Sequence, residues 1–150
     1  MAARSSTEPK SGDEVPRLSP EQCRSILESA TRGHLALSQG ALPLVVPVTC
    51  TLDGDHLLVR AGLGLVGKFP AQPGVVAFQT EGAGPDGRSW WEVMVQGRAE
   101  FLETDDDAGP AKSPPPLPLV DQRLTAALRI SMELFTGRQY RTSTESTKET

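Results

Sequence analysis

Aromatic residues are scarce in this chain, at 5% of 150 residues, and there are only two cysteines and two histidines. Cys23 and Cys50 have neither the close spacing of a zinc site nor the density of a secreted disulfide scaffold, so both read as buried thiols. His34 and His56 stand in or beside predicted strands without partners at ligand spacing, which makes them surface or packing residues. No apolar run is long enough to span a bilayer, and the Ser-, Glu-, Lys- and Pro-rich N-terminus lacks the apolar centre of a signal peptide. A cytoplasmic protein with no membrane partner is therefore expected. Positive charge is also short: 15 Lys and Arg against 19 Asp and Glu leave a net charge of −4. Broad nucleic-acid binding needs a surplus of cations facing phosphates, so no nucleic-acid partner is expected. No Ser-His-Asp, Cys-His or metal constellation is legible either.

What is present is a series of short Val- and Leu-rich runs, punctuated by 14 glycines and 13 prolines. That pattern reads as one mostly β domain. Residues 1–17 are too polar to offset the entropy of ordering and are expected to be a disordered tail, as are residues 139–150; the domain occupies 18–138. A helix opens at Ser19, with Pro20 at its first position and Gln22 completing a capping box. Cys23, Ile26, Leu27 and Ala30 form its apolar stripe, and Gly33 is expected to stop it. His34 to Ser38 is a first strand. Pro73-Gly74 introduces a strand from Val75 to Gln79 whose continuous apolar run suggests burial on both sides, followed by a loop from Glu81 to Arg88. From Ser89 to Phe101, Trp91, Val93, Val95, Gly97, Ala99 and Phe101 share one face, and a strand this long must curve or be shared between two sheets. Thr104 to Pro118, acidic and then proline-rich, reads as a solvated insertion. Leu119 to Ala127 is expected to be a short helix, and Leu128 to Leu134 a last strand that closes the sheet and ends at Thr136-Gly137-Arg138.

The chain is organised around Leu42 to Lys68. Leu42, Leu44, Val46, Val48, Cys50 and Leu52 alternate with Pro43, Pro47, Thr49 and Thr51, the period of a strand with one buried face. Asp53-Gly54 suits a type I′ turn into a partner strand from Asp55 to Ala61. Pro47 lacks an N–H, so its strand must be an edge or carry a bulge there. After Arg60 come Gly62, Gly64 and Gly67 and then Lys68, two cations beside backbone that can approach a phosphate closely. Taken alone, these two read first as solvated surface cations.

One capped helix, the GHLALSQGALPLVVPV strand pair, the LDGDHLLVR hairpin, the WEVMVQGRAEF strand and the closing LRISMELFTGR together resemble the pyridoxamine 5′-phosphate oxidase-like split β-barrels. The resemblance covers about Leu18 to Arg138. It implies an antiparallel split β-barrel with an N-terminal helix, forming a homodimer with two clefts that hold FMN or, alternatively, the deazaflavin coenzyme F420, and a small-molecule substrate. By position, Arg60 and Lys68 would face the flavin phosphate, with Ala61 where many members carry a hydroxyl. The backbone at Pro47, Val48 and Thr49 would lie along the flavin ring. Trp91 would approach from the other subunit or pack in the barrel, and Arg138 matches a terminal Gly-Arg pair. Glu92 stands where Ser is common, and the Arg60 to Lys68 spacing is longer than usual. A flavin-dependent oxidoreductase is the first expectation; a split-barrel dimer acting as a flavin carrier or cofactor-free interaction module is the second.

Overall fold

The computed structural model describes residues 16–62, 73–102, 114–116 and 125–141. Helix α1 spans Pro20–Ser29, followed by β1 Arg32–Gln39, β2 Leu42–Asp53, β3 His56–Gly62, β4 Gly74–Ala83, β5 Ser89–Leu102, β6 Thr125–Ser131 and β7 Leu134–Arg141. Every pairing among these strands is antiparallel. Because β4 pairs with both β1 and β5, the strands β1, β2, β3, β6, β5 and β4 close into a ring, and β7 lies beside β5. Closure removes the free edges that an open sheet would leave. The expected barrel with an N-terminal helix is the fold observed.

Strand β5 makes the closure. One of its edges pairs with β4 from Trp90 to Ala99, while the other takes β7 along Ser89–Gln96 and then β6 along Ala99–Leu102. The long strand thus stays within one seven-stranded sheet and changes neighbours along one edge, rather than being shared between two sheets. Gly97 sits at the changeover, where an added Cβ would lie 1.7 Å from the Ser131 carbonyl oxygen.

The core lies inside the ring. Val46, Val48, Cys50 and Leu52 of β2 face Leu57, Val59 and Ala61 of β3, with Phe78, Val93, Val95, Leu128 and Ile130 completing the interior. Alternation in β2 therefore follows the expected parity, except that Leu42, at the hairpin end beside Gln39, stays 69% exposed. Burial pushes the Cys50 thiol up to about 12, and that of Cys23 upward as well. The unfolded chain releases the Cys50 proton near pH 9 while the folded chain keeps it. Stability should therefore be constant with respect to this group below pH 9 and fall as pH rises toward 12. Urea titrations at stepped alkaline pH, compared with Cys50→Ala, check this: the variant should lose part of the alkaline decline.

Helix α1 packs across the barrel with Cys23 and Leu27 buried. Its capping box is complete: the Gln22 N–H donates to Ser19 Oγ at 3.1 Å, and the Ser19 N–H to Gln22 Oε1 at 2.8 Å. Ser19→Ala should cost about 1 kcal/mol, read as a fall of a few degrees in Tm with no other change.

Several expectations need correction. The helix stops at Ser29, because Ala30 turns extended and the Thr31 carbonyl accepts the Cys50 N–H at 3.0 Å, capturing the chain into β1 beside β2. Gly33 is instead a strand residue whose Cβ would lie 2.4 Å from the Phe78 ring. The hairpin turn is Gly54–Asp55, not Asp53–Gly54: Asp53 pairs with His56, and Gly54 supplies the positive φ of 62°. Strand β4 is buried on one face only, with Val75 61% exposed, and it continues through Ala83. The final strand is two strands: β6 ends at Ser131, and Leu134, 54% exposed, opens β7. Thr125 to Ala127, placed in a helix by the sequence, belong to β6 because they pair with β3.

The domain limits also widen. Arg17 bridges Arg138, the Gln139 N–H donates to the Pro16 carbonyl, and β7 extends to Arg141. Pro16, Arg17 and Gln139 to Arg141 are thus ordered by pairing. The remainder of both expected tails, the remainder of the expected helix and most of the insertion lie outside the described residues. Within the insertion Pro114 is buried, so at least this part is packed rather than solvated. No described helix is long and apolar enough to cross a membrane.

Candidate functional site: a cationic corner on the barrel wall

Outward-facing residues of β1, β2 and β3 line up across the sheet. Thr49 of β2 is opposite Arg32 of β1 and Arg60 of β3, so one row reads Arg32, Thr49, Arg60. Directly opposed residues share a face with Cβ atoms about 5 Å apart. The row therefore sets a hydroxyl between two guanidinium groups, a donor set matched to a phosphate. Thr49 is 3% exposed and Arg60 9%, while Arg32 is open to solvent. Arg60 Nη1 donates to Thr125 Oγ1 at 3.3 Å, which fixes the guanidinium above the β3–β6 pair. Leu58, Leu102 and Ala127 form a small apolar cluster on the same outer wall. Above the row lies the backbone of the proline run: the Thr49 hydroxyl donates to the Pro115 carbonyl.

The other expected site residues fall into three groups. Pro47 lies exposed on the outer face, where β3 pairing does not begin until Val48, so its missing N–H falls where β2 has no described partner on that side. Val48 and Ala61 face each other inside the barrel at 2% and 0% exposure. Their side chains point away from Arg60, so at this corner they can offer only backbone atoms. The Ala at position 61 consequently removes no hydroxyl from the outer wall. Lys68 lies outside the described residues.

Trp91 and Arg138 sit elsewhere. Trp91 has the inward parity of Val93 and packs against Gly82, whose Cβ would meet the indole at 2.4 Å. With Leu18, Gln22, Ile26 and Gln139 it lines a shallow cavity of about 260 Å³ beside α1. Arg60 aligns through Ala127 with Leu102, at the far end of β5. Around the closed side of the ring the path is shorter: Trp91 pairs with Gly82 of β4, and Thr80 Oγ1 of the same strand donates to the Arg32 carbonyl at 2.9 Å. Trp91 nevertheless faces the cavity beside α1 and the row faces the outer side of the wall, so its side chain does not join the row within one chain. Arg138 lies opposite Glu92 and forms an ion pair with it at 3.7 Å, and the same carboxylate accepts from Gln79 Nε2 at 3.1 Å. Glu92 is thereby compensated on the β5–β7 wall rather than set against Arg60.

Sequence reasoning missed Arg32 and Thr125. Both flank strands whose starts were read two or more residues late or as helix, and parity places a residue on a face only once its strand is known. The outer wall also carries an apolar strip that runs into the corner. Val45, 66% exposed, is opposite Ala36, which is in turn opposite Ala77, with Pro43, Pro47 and Val75 adjoining. Among the described residues there is no metal-binding group of His, Cys, Asp and Glu.

A helix-capped antiparallel ring whose long strand changes neighbours, with a cationic corner on its wall, defines a split-barrel protein. Residues 19–139 match the family model for pyridoxamine 5′-phosphate oxidase, and the chain belongs to that family. It is 27% identical over 135 residues to an uncharacterised protein of Mycobacterium tuberculosis, covering 86% of this chain and 88% of that one. Among solved structures it is similar to an FAD-binding protein of Mycobacterium smegmatis, with a TM-score of 0.62, 22% identity and coverage of 85% and 99% of the two chains. An FAD-binding protein of Mesorhizobium loti gives a TM-score of 0.62 at 24% identity, with coverage of 83% and 97%.

Proposed function

We propose that the protein is a cytoplasmic flavin-dependent oxidoreductase acting on a small molecule and working as a homodimer. The observation that carries this reading is the Arg32, Thr49, Arg60 row: two guanidinium groups and a hydroxyl on one face, all able to donate to the cofactor's phosphate. Backbone at Pro47 to Thr49, bordered by exposed Pro47, would support the ring, and Lys68 would add charge at the phosphate. A bound flavin would supply the hydride or electron transfer. The chain's own groups bind and orient it.

FMN is the cofactor the family resemblance implies. The FAD-binding character of the two structural relatives widens the choice, since FAD contains the same flavin and an equivalent phosphate; F420 also carries one. The dimer is supported by two features. Trp91 faces the cavity beside α1 while the Arg32, Thr49, Arg60 row faces outward, so a tryptophan in the cleft would have to come from the partner subunit. The exposed strip of Val45, Ala36 and Val75 beside the corner offers apolar area for such a contact. The substrate stays open, because no described residue selects among reducible small molecules.

The cover of Pro115 over Thr49 favours a second reading, a split-barrel dimer acting as flavin carrier or cofactor-free module. The absorption spectrum of the purified protein, with chromatography of any cofactor released on denaturation, separates the two. A yellow protein that releases FMN or FAD and turns over an electron acceptor supports the first reading. A colourless protein that takes up none of FMN, FAD or F420 overturns it in favour of the module.

A further inference from the structure

The proline run bears on the same corner in a way the family assignment does not address. Pro114 is buried, Pro115 half-buried and Pro116 exposed, so the run descends onto the barrel wall at its first residue. The Pro115 carbonyl takes the one proton that Thr49 can donate. Three consecutive prolines have no backbone N–H and therefore present only carbonyl acceptors and apolar rings. Such a segment is also stiff before it docks, so little conformational entropy opposes its seating. An acceptor-only strap thus takes the Thr49 proton that a phosphate oxygen would take.

We infer that Pro114–Pro116 is an intramolecular occupant of the Thr49–Arg60 corner, which an incoming phosphate must displace to bind. The inference rests on the flavin-phosphate reading of that corner and deepens it: the strap sets the apparent affinity and excludes ligands lacking an anionic group strong enough to compete. Thr49 cannot donate to Pro115 and to a phosphate oxygen at once. The two states are therefore mutually exclusive at this hydroxyl.

The test uses the full chain and the triple substitution Pro114→Gly, Pro115→Gly, Pro116→Gly, with Pro115→Gly alone as the second variant should the triple form melt early. Two readouts are taken: FMN titration by fluorescence, and the rate at which phenylglyoxal modifies Arg60, followed by peptide mass mapping with and without inorganic phosphate. Loosening the strap should speed Arg60 modification, let inorganic phosphate protect Arg60, and tighten FMN binding roughly tenfold if the strap covers the corner about nine-tenths of the time. An unchanged Arg60 rate overturns the proposal, as does weaker FMN binding, which would make the strap a wall of the binding site. Faster, phosphate-protected Arg60 modification with no FMN binding in any form keeps the strap and defeats the flavin reading instead.

Discussion

Arg60→Ala is expected to weaken flavin binding by roughly 10- to 150-fold, the equivalent of losing one charged hydrogen-bonding group worth about 1.5–3 kcal/mol. With Lys68→Ala added, retention of the cofactor through purification should be abolished. The barrel should survive, because Arg60 lies on the outer wall, outside the interior formed by Leu57, Val59 and Ala61. Removing it leaves Thr125 Oγ1 without this donor, near a surface that water can reach, so a small loss of Tm is the expected structural cost. Arg60→Lys keeps the charge but loses the planar fork, and should bind with intermediate affinity. Fluorescence titration of the four proteins, with far-UV circular dichroism to show that each is folded, checks the order. Equal affinity in wild type and the double variant would remove the phosphate assignment.

Gly97→Ala should have the largest effect on stability. The Cβ would stand 1.7 Å from the carbonyl oxygen of Ser131 and 2.9 Å from its carbon. Both are backbone atoms of β6 at the point where β5 exchanges β7 for β6, so neither can swing aside as a side chain would. The strands must separate at the corner that closes the ring. A cost of about 3–5 kcal/mol is expected, which lowers Tm by roughly 10–20 °C for a domain of this size. Gly82→Ala is the contrast: its Cβ meets the Trp91 ring at 2.4 Å, and that side chain lines an open cavity into which it can shift. Gly82→Ala should therefore cost less and report itself as a change in tryptophan fluorescence. Thermal melts of the two variants together decide whether the β5 corner or the Trp91 packing is the less yielding element.

Elements with a strong local signal were legible in the sequence. Ser19, Pro20 and Gln22 form the predicted capping box because all its partners lie within four residues. The parity of β2 and β5 is carried by residues that alternate regardless of what lies beside them. What eluded sequence reasoning depended on distant partners. Thr125 to Ala127 carry an Ala- and Leu-rich pattern that a helix would also accept, and only pairing with Arg60, Ala61 and Gly62 makes them a strand. Gly33 looked like a helix stop because its actual constraint, the Phe78 ring, arrives from β4, far along the chain.

The site was legible to the same degree and for the same reason. Arg60 and Thr49 could be named from one hairpin and its glycine-rich exit. Arg32 joins them only through the β1–β2 register, and Pro115 only through a contact spanning 66 residues. Glu92, the acidic residue at a position where Ser is common, is likewise placed only by distant partners. It pairs with Arg138 and Gln79 through β5–β7 and β4–β5 neighbours that no local pattern could supply.

The central claim is that the Arg32, Thr49, Arg60 corner holds a flavin phosphate. Equilibrium titration of the apo-protein with FMN, FAD and F420, each read by fluorescence of the cofactor, tests it most directly. Saturable binding of at least one at micromolar concentration or tighter, weakened by inorganic phosphate, is the result predicted. Flat titrations with all three, in a protein that melts cooperatively, would contradict it.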